Sequence, residues 1–227
     1  MAATIHAALG DARTVVNVGA GAGSYEPADR HVIAIEPSDV MAAQRPPDRV
    51  PALRANAGAL PLRQDSVDAA MAVLTIHHWD TEQEAGVREL RRVSRGPVVI
   101  VTYDPQISAE MWLMRDYLPE VAELDHRIFP APGLLLSWLG GGEVVPLPIP
   151  RDTPDWTLGS FWAHPERVLD DQARSATSGF ARMQTAVVDR VVEAVAGDLA
   201  EGVWDERNSA LRELDELDVG MRLVVAG

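Results

Sequence analysis

Gly19, Gly21 and Gly23 follow the apolar run Val15-Val16-Asn17-Val18, and Glu36 closes the next apolar run, His31-Val32-Ile33-Ala34-Ile35. Glycines at alternate positions let bare backbone approach a ligand closely. An acid that ends the following strand is placed to hold ribose hydroxyls. The pair of features points to a nucleotide-like small molecule lying across two strand ends. A second set of reactive side chains, His77 and His78, comes directly after the apolar run Asp68 to Ile76. An imidazole is the side chain best suited to take a proton near neutral pH. Tyr103 and Asp104 end a further apolar run and are expected on the same rim. There is no cysteine and no His-Glu-x-x-His pattern, so no metal site is expected.

The elements that must position these groups are legible as a strand–helix alternation. A short helix is expected over residues 1–12, with Ile5, Ala8 and Leu9 at helical spacing. Strands are expected at Val15–Val18, His31–Glu36, Val50–Ala55, Asp68–Ile76 and Pro97–Tyr103. Ser38 is expected to cap a short helix ending before Pro46-Pro47, and Asp80 or Thr81 a longer one, with Glu84 completing a capping box with Thr81. Val87, Leu90 and Val93 form the apolar stripe of that longer helix. Such alternation predicts a mostly parallel α/β sheet with right-handed crossovers. The regular pattern stops near Asp104. Residues 108–126 read as helical, a Pro-interrupted strand spans Val144–Ile149, and Pro165 to about Leu217 reads as mainly helical. The stretch 206–216 is expected to be an amphipathic helix with a solvated acidic face. Met221–Ala226 reads as the terminal strand.

Composition narrows the class. The chain has 227 residues, 47% of them apolar, enough for one large domain with a sizeable core. A formal net charge of −14 argues against nucleic acid as a main partner, because cationic side chains supply most backbone affinity. No apolar run reaches the roughly 18 residues of a membrane span, and no signal-peptide pattern opens the chain. A cytoplasmic protein, monomeric or homodimeric and away from membranes, is expected.

A dinucleotide fingerprint requires Gly-x-Gly-x-x-Gly, whereas here the third glycine falls early and Ser24 holds the sixth position. With Glu36-Pro37-Ser38-Asp39-Val40-Met41, Asn56-Ala57-Gly58-Ala59-Leu60-Pro61, Leu74-Thr75-Ile76-His77-His78-Trp79 and Glu89-Leu90-Arg91-Arg92-Val93, the chain resembles the class I S-adenosylmethionine-dependent methyltransferases over residues 12–105. The resemblance implies a Rossmann-like sheet with an antiparallel last strand, a helical insertion before it, and S-adenosylmethionine as cofactor, released as S-adenosylhomocysteine. It assigns Asn17, Gly19, Ala20, Gly21 and Gly23 to the amino-acid end of the cofactor, and Glu36 and Pro37 to the ribose. Met41, Asn56 and Ala57 go to the adenine, Leu74 and Thr75 to the floor beside the sulfur. His77 or His78 becomes the general base for a small-molecule methyl acceptor.

Asn17 and Asn56 both stand where the family usually carries an acid, so each supplies hydrogen bonds without charge. Only the twelve residues Gly19 to Arg30 join the first two strands, and Pro27 interrupts them. A parallel crossover usually takes about a dozen residues or more, so the first helix must be very short, and Tyr25 is expected to supply packing in its place. The chain reads as a single methyltransferase domain. Residues 1–105 are its cofactor-binding half, and 106–227 its substrate half with a helical lid at about 153–217. Trp112, Tyr117, Trp138, Trp156, Phe161, Trp162 and His164 concentrate there, as an apolar acceptor pocket would require, and 152–156 reads as a surface loop over the site. Two rivals remain: a nicotinamide oxidoreductase on a related sheet, and a non-catalytic binding module that keeps the fold.

Overall fold

The computed structural model describes residues 1–154 and 156–227. Along the chain run α1 (Ala2–Ala8), β1 (Thr14–Val18), β2 (His31–Ile35), α2 (Asp39–Ala43), β3 (Ala69–Val73), α3 (Gln83–Val93) and β4 (Val98–Tyr103). Then follow α4 (Pro105–Ser108), α5 (Pro119–Ile128), α6 (Pro132–Leu139), β5 (Glu143–Pro146) and β6 (Ile149–Pro150). The chain closes with α7 (Asp171–Ser175), α8 (Ser178–Ala181), α9 (Thr185–Ala200), α10 (Val203–Asn208), β7 (Glu216–Leu217) and β8 (Met221–Ala226). Two compact units result. The first comprises Met1–Tyr103, Ile128–Pro146 and Arg222–Gly227, the second Asp104–Arg127 and Leu147–Met221.

The first unit is built on a six-stranded sheet in the order β2-β1-β3-β4-β8-β5. β1 pairs in parallel with β2 and with β3, and β3 with β4. β8 runs antiparallel to its neighbour β5. The expected α/β architecture is therefore present. Its parallel strands are short and almost continuously apolar because both faces are covered. Val87, Leu90 and Val93 of α3 and Leu135 of α6 are fully buried with Val16, Ala70, Ile100 and Val224. Each of the buried valines, leucines and the isoleucine contributes about 1.5–3 kcal/mol.

Four local expectations need correction. Val50–Ala55 is not a strand: one parallel bridge joins Leu53 to Ile35, made by the Leu53 N–H to Ala34 O (2.8 Å) and the Glu36 N–H to Leu53 O (3.0 Å). Pro51 has no N–H with which to extend it. No helix, however short, follows the glycines; residues 19–30 form turns. Gly19, Gly21 and Gly23 all have positive φ (+70°, +48° and +82°), which an α-helix cannot accommodate. α3 begins at Gln83 without a side-chain cap, because the 3-10 turn Asp80–Glu82 leads directly into it. Finally, the helix expected over 206–216 ends at Asn208, gives way to the 3-10 turn Ser209–Glu213, and is followed by β7. Arg212 is held there by Asp205 (2.7 Å) and Glu166 (2.9 Å), so this face is laced with ion pairs rather than simply solvated.

The second unit is mainly helical around an aromatic core. Trp112, Phe161, Trp162 and Trp204 are buried, and Trp112 meets Tyr117 and Trp204 edge to face at 5.7 and 5.4 Å. The Trp112 indole N–H donates to Trp162 O (2.9 Å) and that of Trp162 to Ile149 O (3.0 Å). Burial raises the Tyr117 phenol, which donates to Asp198 at 2.6 Å. These rings form the unit's own core, which accounts for the aromatic bias without invoking an acceptor pocket. Trp156, by contrast, is exposed beneath the Arg167 guanidinium. Asp155, part of the surface loop expected over 152–156, lies outside the described residues. Among the described residues no helix is long and apolar enough to cross a membrane.

Candidate functional site

The site starts where β1 stops. Gly19 N–H and Ala20 N–H both donate to Ile35 O at the tip of β2 (2.9 Å each), which folds the chain back sharply. A Cβ on Gly19 would lie 1.9 Å from Thr75 Oγ1, so only glycine lets the β1 tip meet the end of β3. Leu74, just past β3, also has positive φ (+51°), a strained conformation for a leucine. Its N–H donates to Val101 O on β4 at 2.9 Å, which helps hold it there.

Glu36 links the glycine turn to the next element. One carboxylate oxygen accepts the Gly21 N–H and the other the Ser38 N–H, each at 2.9 Å. Ser38 in turn caps α2 by accepting from the Met41 N–H (3.3 Å). Glu36 is 7% exposed. Each carboxylate oxygen can accept two hydrogen bonds, so one acceptor position per oxygen is left after these backbone donors are served.

These elements enclose a cavity of about 700 Å³. Of the residues singled out from sequence, Asn17, Gly19, Ala20, Gly21, Glu36, Pro37, Met41, Leu74, Thr75 and His78 line it. Asn56 and Ala57 line an adjoining pocket of about 330 Å³, and Gly19, Pro37, His78 and Trp79 border both. The Asn56–Leu60 loop is positioned from α3. Glu89 accepts the Leu60 N–H (2.8 Å), while Arg92 donates to Leu62 O (2.9 Å) and Leu60 O (3.3 Å). Arg92 also pairs with Glu89 and, chiefly through that hydrogen bond, holds its carboxyl below the usual range. Among the described residues no group of three His, Asp or Glu side chains could hold a metal ion.

A methyltransferase-domain family matches residues 16–100. The chain is 30% identical to a candidate methyltransferase from an antibiotic biosynthesis pathway of Anabaena variabilis ATCC 29413. That similarity covers 95% of this chain and 90% of the other, with a TM-score of 0.86. The chain belongs to the class I S-adenosylmethionine-dependent methyltransferases. An S-adenosylmethionine-dependent methyltransferase from Thermotoga maritima is 25% identical over 64% of this methyltransferase and 72% of its own chain, with a TM-score of 0.51. A phosphoethanolamine N-methyltransferase of Haemonchus contortus, in complex with S-adenosylhomocysteine, shares the fold alone. It is 12% identical, covers 99% of this chain and 51% of its own, and has a TM-score of 0.55. A comparison with curated proteins finds no match.

Two expected site residues of the methyltransferase lie elsewhere. Gly23 is not on the wall of either pocket. A Cβ there would lie 2.8 Å from Glu26 Oε2, so this glycine makes room for the Glu26 side chain. His77 is buried and stacks on Phe129 (ring centroids 4.4 Å apart, 28° between planes), and the His78 ring lies tilted against it with centroids 4.0 Å apart. Tyr103 meets the same phenylalanine edge-on at 5.9 Å. Asp104 caps α4 by accepting from the Gln106 N–H, an anchoring role.

Sequence reading missed Glu26, Arg45 and the role of Trp79. Glu26 and Arg45 form an ion pair behind the glycine turn at 2.8 Å, with side chains 1% and 4% exposed. Their only signal was indirect: an uncharged Asn17 and a crossover too short for a good helix. Trp79 lies against Gly86 of α3, where a Cβ would come within 2.6 Å of the ring.

Proposed function

We propose that this methyltransferase transfers a methyl group to a small-molecule acceptor in the cytoplasm, with His78 as the group that takes up the acceptor's proton. When bound, S-adenosylmethionine supplies a methyl group carried on a positively charged sulfur. Glu36 would receive the ribose hydroxyls on its remaining acceptor positions. Gly19, Ala20 and Gly21 would let backbone approach the amino-acid end, while Met41, Asn56 and Ala57 would flank the adenine. Leu74 and Thr75 would form the floor near the sulfur. The observation that carries the reading is the Glu36 carboxylate, on the wall of a 700 Å³ cavity, tied to the glycine turn and to the start of α2.

Of the two histidines, His78 is exposed and borders both pockets, whereas His77 is packed against Phe129. A base must lie within reach of the proton it removes, which favours His78. The small-molecule reading draws on the antibiotic-pathway description of the Anabaena variabilis protein and on the net charge of −14.

Calorimetry with S-adenosylhomocysteine tests the cofactor assignment. Glu36→Ala should weaken binding by roughly tenfold or more, the scale of losing charge-assisted hydrogen bonds. Near-wild-type affinity would sink the ribose assignment, and stabilisation by NAD or NADP alone would revive the oxidoreductase. For the acceptor, radiolabelled methyl transfer is compared across a panel of small phenols, amines and carboxylic acids, transfer RNA and protein extract. Label confined to the RNA or protein fraction would overturn the small-molecule reading. His78→Gln should lower methyl transfer to the acceptor by roughly a hundredfold, the scale of a lost general base, while leaving S-adenosylhomocysteine affinity intact.

A further inference from the structure

Gly21 is gripped from both sides. Its N–H is held by Glu36, and its carbonyl accepts from Arg45 Nη1 at 3.0 Å. The same guanidinium reaches both oxygens of Glu26 through Nη2 (2.9 and 2.8 Å), and its Nε donates to Val50 O at 2.9 Å. Glu26 also accepts from the Asn17 side-chain amide at 3.0 Å. Three separate segments thus meet at one buried pair: the end of β1, the turns that follow the glycines, and the residues just after α2.

We propose that the Glu26–Arg45 pair, anchored on Asn17, is the device that holds the glycine turn in its cofactor-binding shape. Glu26 and Arg45 are positioning residues: they stand in for the helix that residues 19–30 do not form and for the carboxylate that Asn17 does not carry. The proposal rests on the reading of the cavity as the S-adenosylmethionine site. A turn with three glycines of positive φ has many conformations in the absence of restraint, and each must be given up on binding. A buried ion pair is a weak source of net stability, because desolvation offsets much of its attraction. Its geometry is nonetheless specific. The planar guanidinium serves a carboxylate and two carbonyls at once, which a lysine cannot do. Gly23 fits the same account, since a side chain there would displace Glu26.

The test compares two probes by calorimetry. On this reading S-adenosylhomocysteine would engage both the glycine turn and the adenosine end, whereas adenosine would engage only the end served by Glu36, Met41 and, in the adjoining pocket, Asn56. In the neutral double variant Glu26→Gln with Arg45→Met, S-adenosylhomocysteine should weaken by at least about tenfold while adenosine changes by less than about threefold. Arg45→Lys alone should lower the same ratio by a smaller factor, and it decides the matter if the double variant does not fold. Equal weakening of both probes would show a merely structural pair and overturn the proposal, as would no change in either. Wild-type protein that binds neither probe would remove the cofactor-site reading itself. Wild-type protein that binds both, with the ratio preserved in the variants, removes this proposal alone.

Discussion

The glycine turn and the Asn56–Leu60 loop line adjoining pockets, and each is held by a glutamate–arginine pair that also hydrogen-bonds loop backbone. The pairs differ in where they sit. Glu26 and Arg45 lie 19 residues apart in sequence, with side chains 1% and 4% exposed. Glu89 and Arg92 lie three apart on α3, 18% and 34% exposed. A regular helix presents the second pair at the surface of the unit, and the loop merely docks on it. The first pair has no helix behind it and is itself the scaffold. Breaking the first should therefore unsettle the molecule, whereas breaking the second should only loosen a loop.

The largest contrast is expected from the glycines. Gly19→Ala combines a positive φ (+70°) with a Cβ 1.9 Å from Thr75 Oγ1. Strain of about 1–2 kcal/mol adds to an overpacking cost of about 1–3 kcal/mol. S-adenosylhomocysteine affinity should fall by roughly a hundredfold, read by calorimetry, with a lowered melting temperature. Gly58→Ala in the other loop meets only the Glu82 side chain at 3.2 Å, and that chain can swing aside. Its effect should stay within about 0.5 kcal/mol. Equal losses at the two glycines would erase the distinction between scaffold and docked loop.

Next come the arginines taken singly. Arg45→Met leaves the Glu26 carboxylate buried without its cation, at a cost of about 3–5 kcal/mol in urea unfolding. Arg92→Met removes a partly exposed pair and its carbonyl contacts, and about 1–2 kcal/mol is expected. The order of these two values is the claim. An Arg92 variant that costs as much as the Arg45 variant would mean that the Asn56–Leu60 loop is scaffold too.

The same difference explains what could be read from sequence. α3 announces itself by Val87, Leu90 and Val93 at helical spacing, and Glu89 and Arg92 fall on it at i and i+3, where they can pair. β1, β2, β4, β8 and the Ser38 cap were legible for similar reasons, since each rests on a local pattern. The Glu26–Arg45 pair has no such pattern. It depends on a chain reversal at Gly19 and on the return of the chain after α2, and neither is encoded by periodicity. Asn17 marked the place where something had to compensate, but not which residue did so. Val50–Ala55 failed as a strand because Pro51 has no N–H with which to extend the single bridge that Leu53 makes to Ile35 at the sheet edge. The two histidines were equivalent in sequence, and only the 3-10 turn Ile76–His78 separates them, turning one toward Phe129 and the other toward the pockets.

The smallest effect concerns acid. Arg92, chiefly by its hydrogen bond, holds the Glu89 carboxyl below its ordinary value of 4.5. A carboxyl whose folded-state pKa is depressed contributes stability above the unfolded value, and that contribution is lost as pH falls through the folded value. The melting-temperature difference between wild type and Glu89→Gln should therefore be constant from pH 7 down to about 5. It should then shrink as pH drops below the ordinary carboxylate range. At low pH a protonated Glu89 and a glutamine offer the Leu60 N–H and Arg92 similar neutral partners, so the two curves should converge. A difference that persists unchanged at the acid end would place the role of Glu89 in packing rather than charge. The Asn56–Leu60 loop would then be held, like the glycine turn, by a geometry that does not depend on a solvent-accessible ion pair.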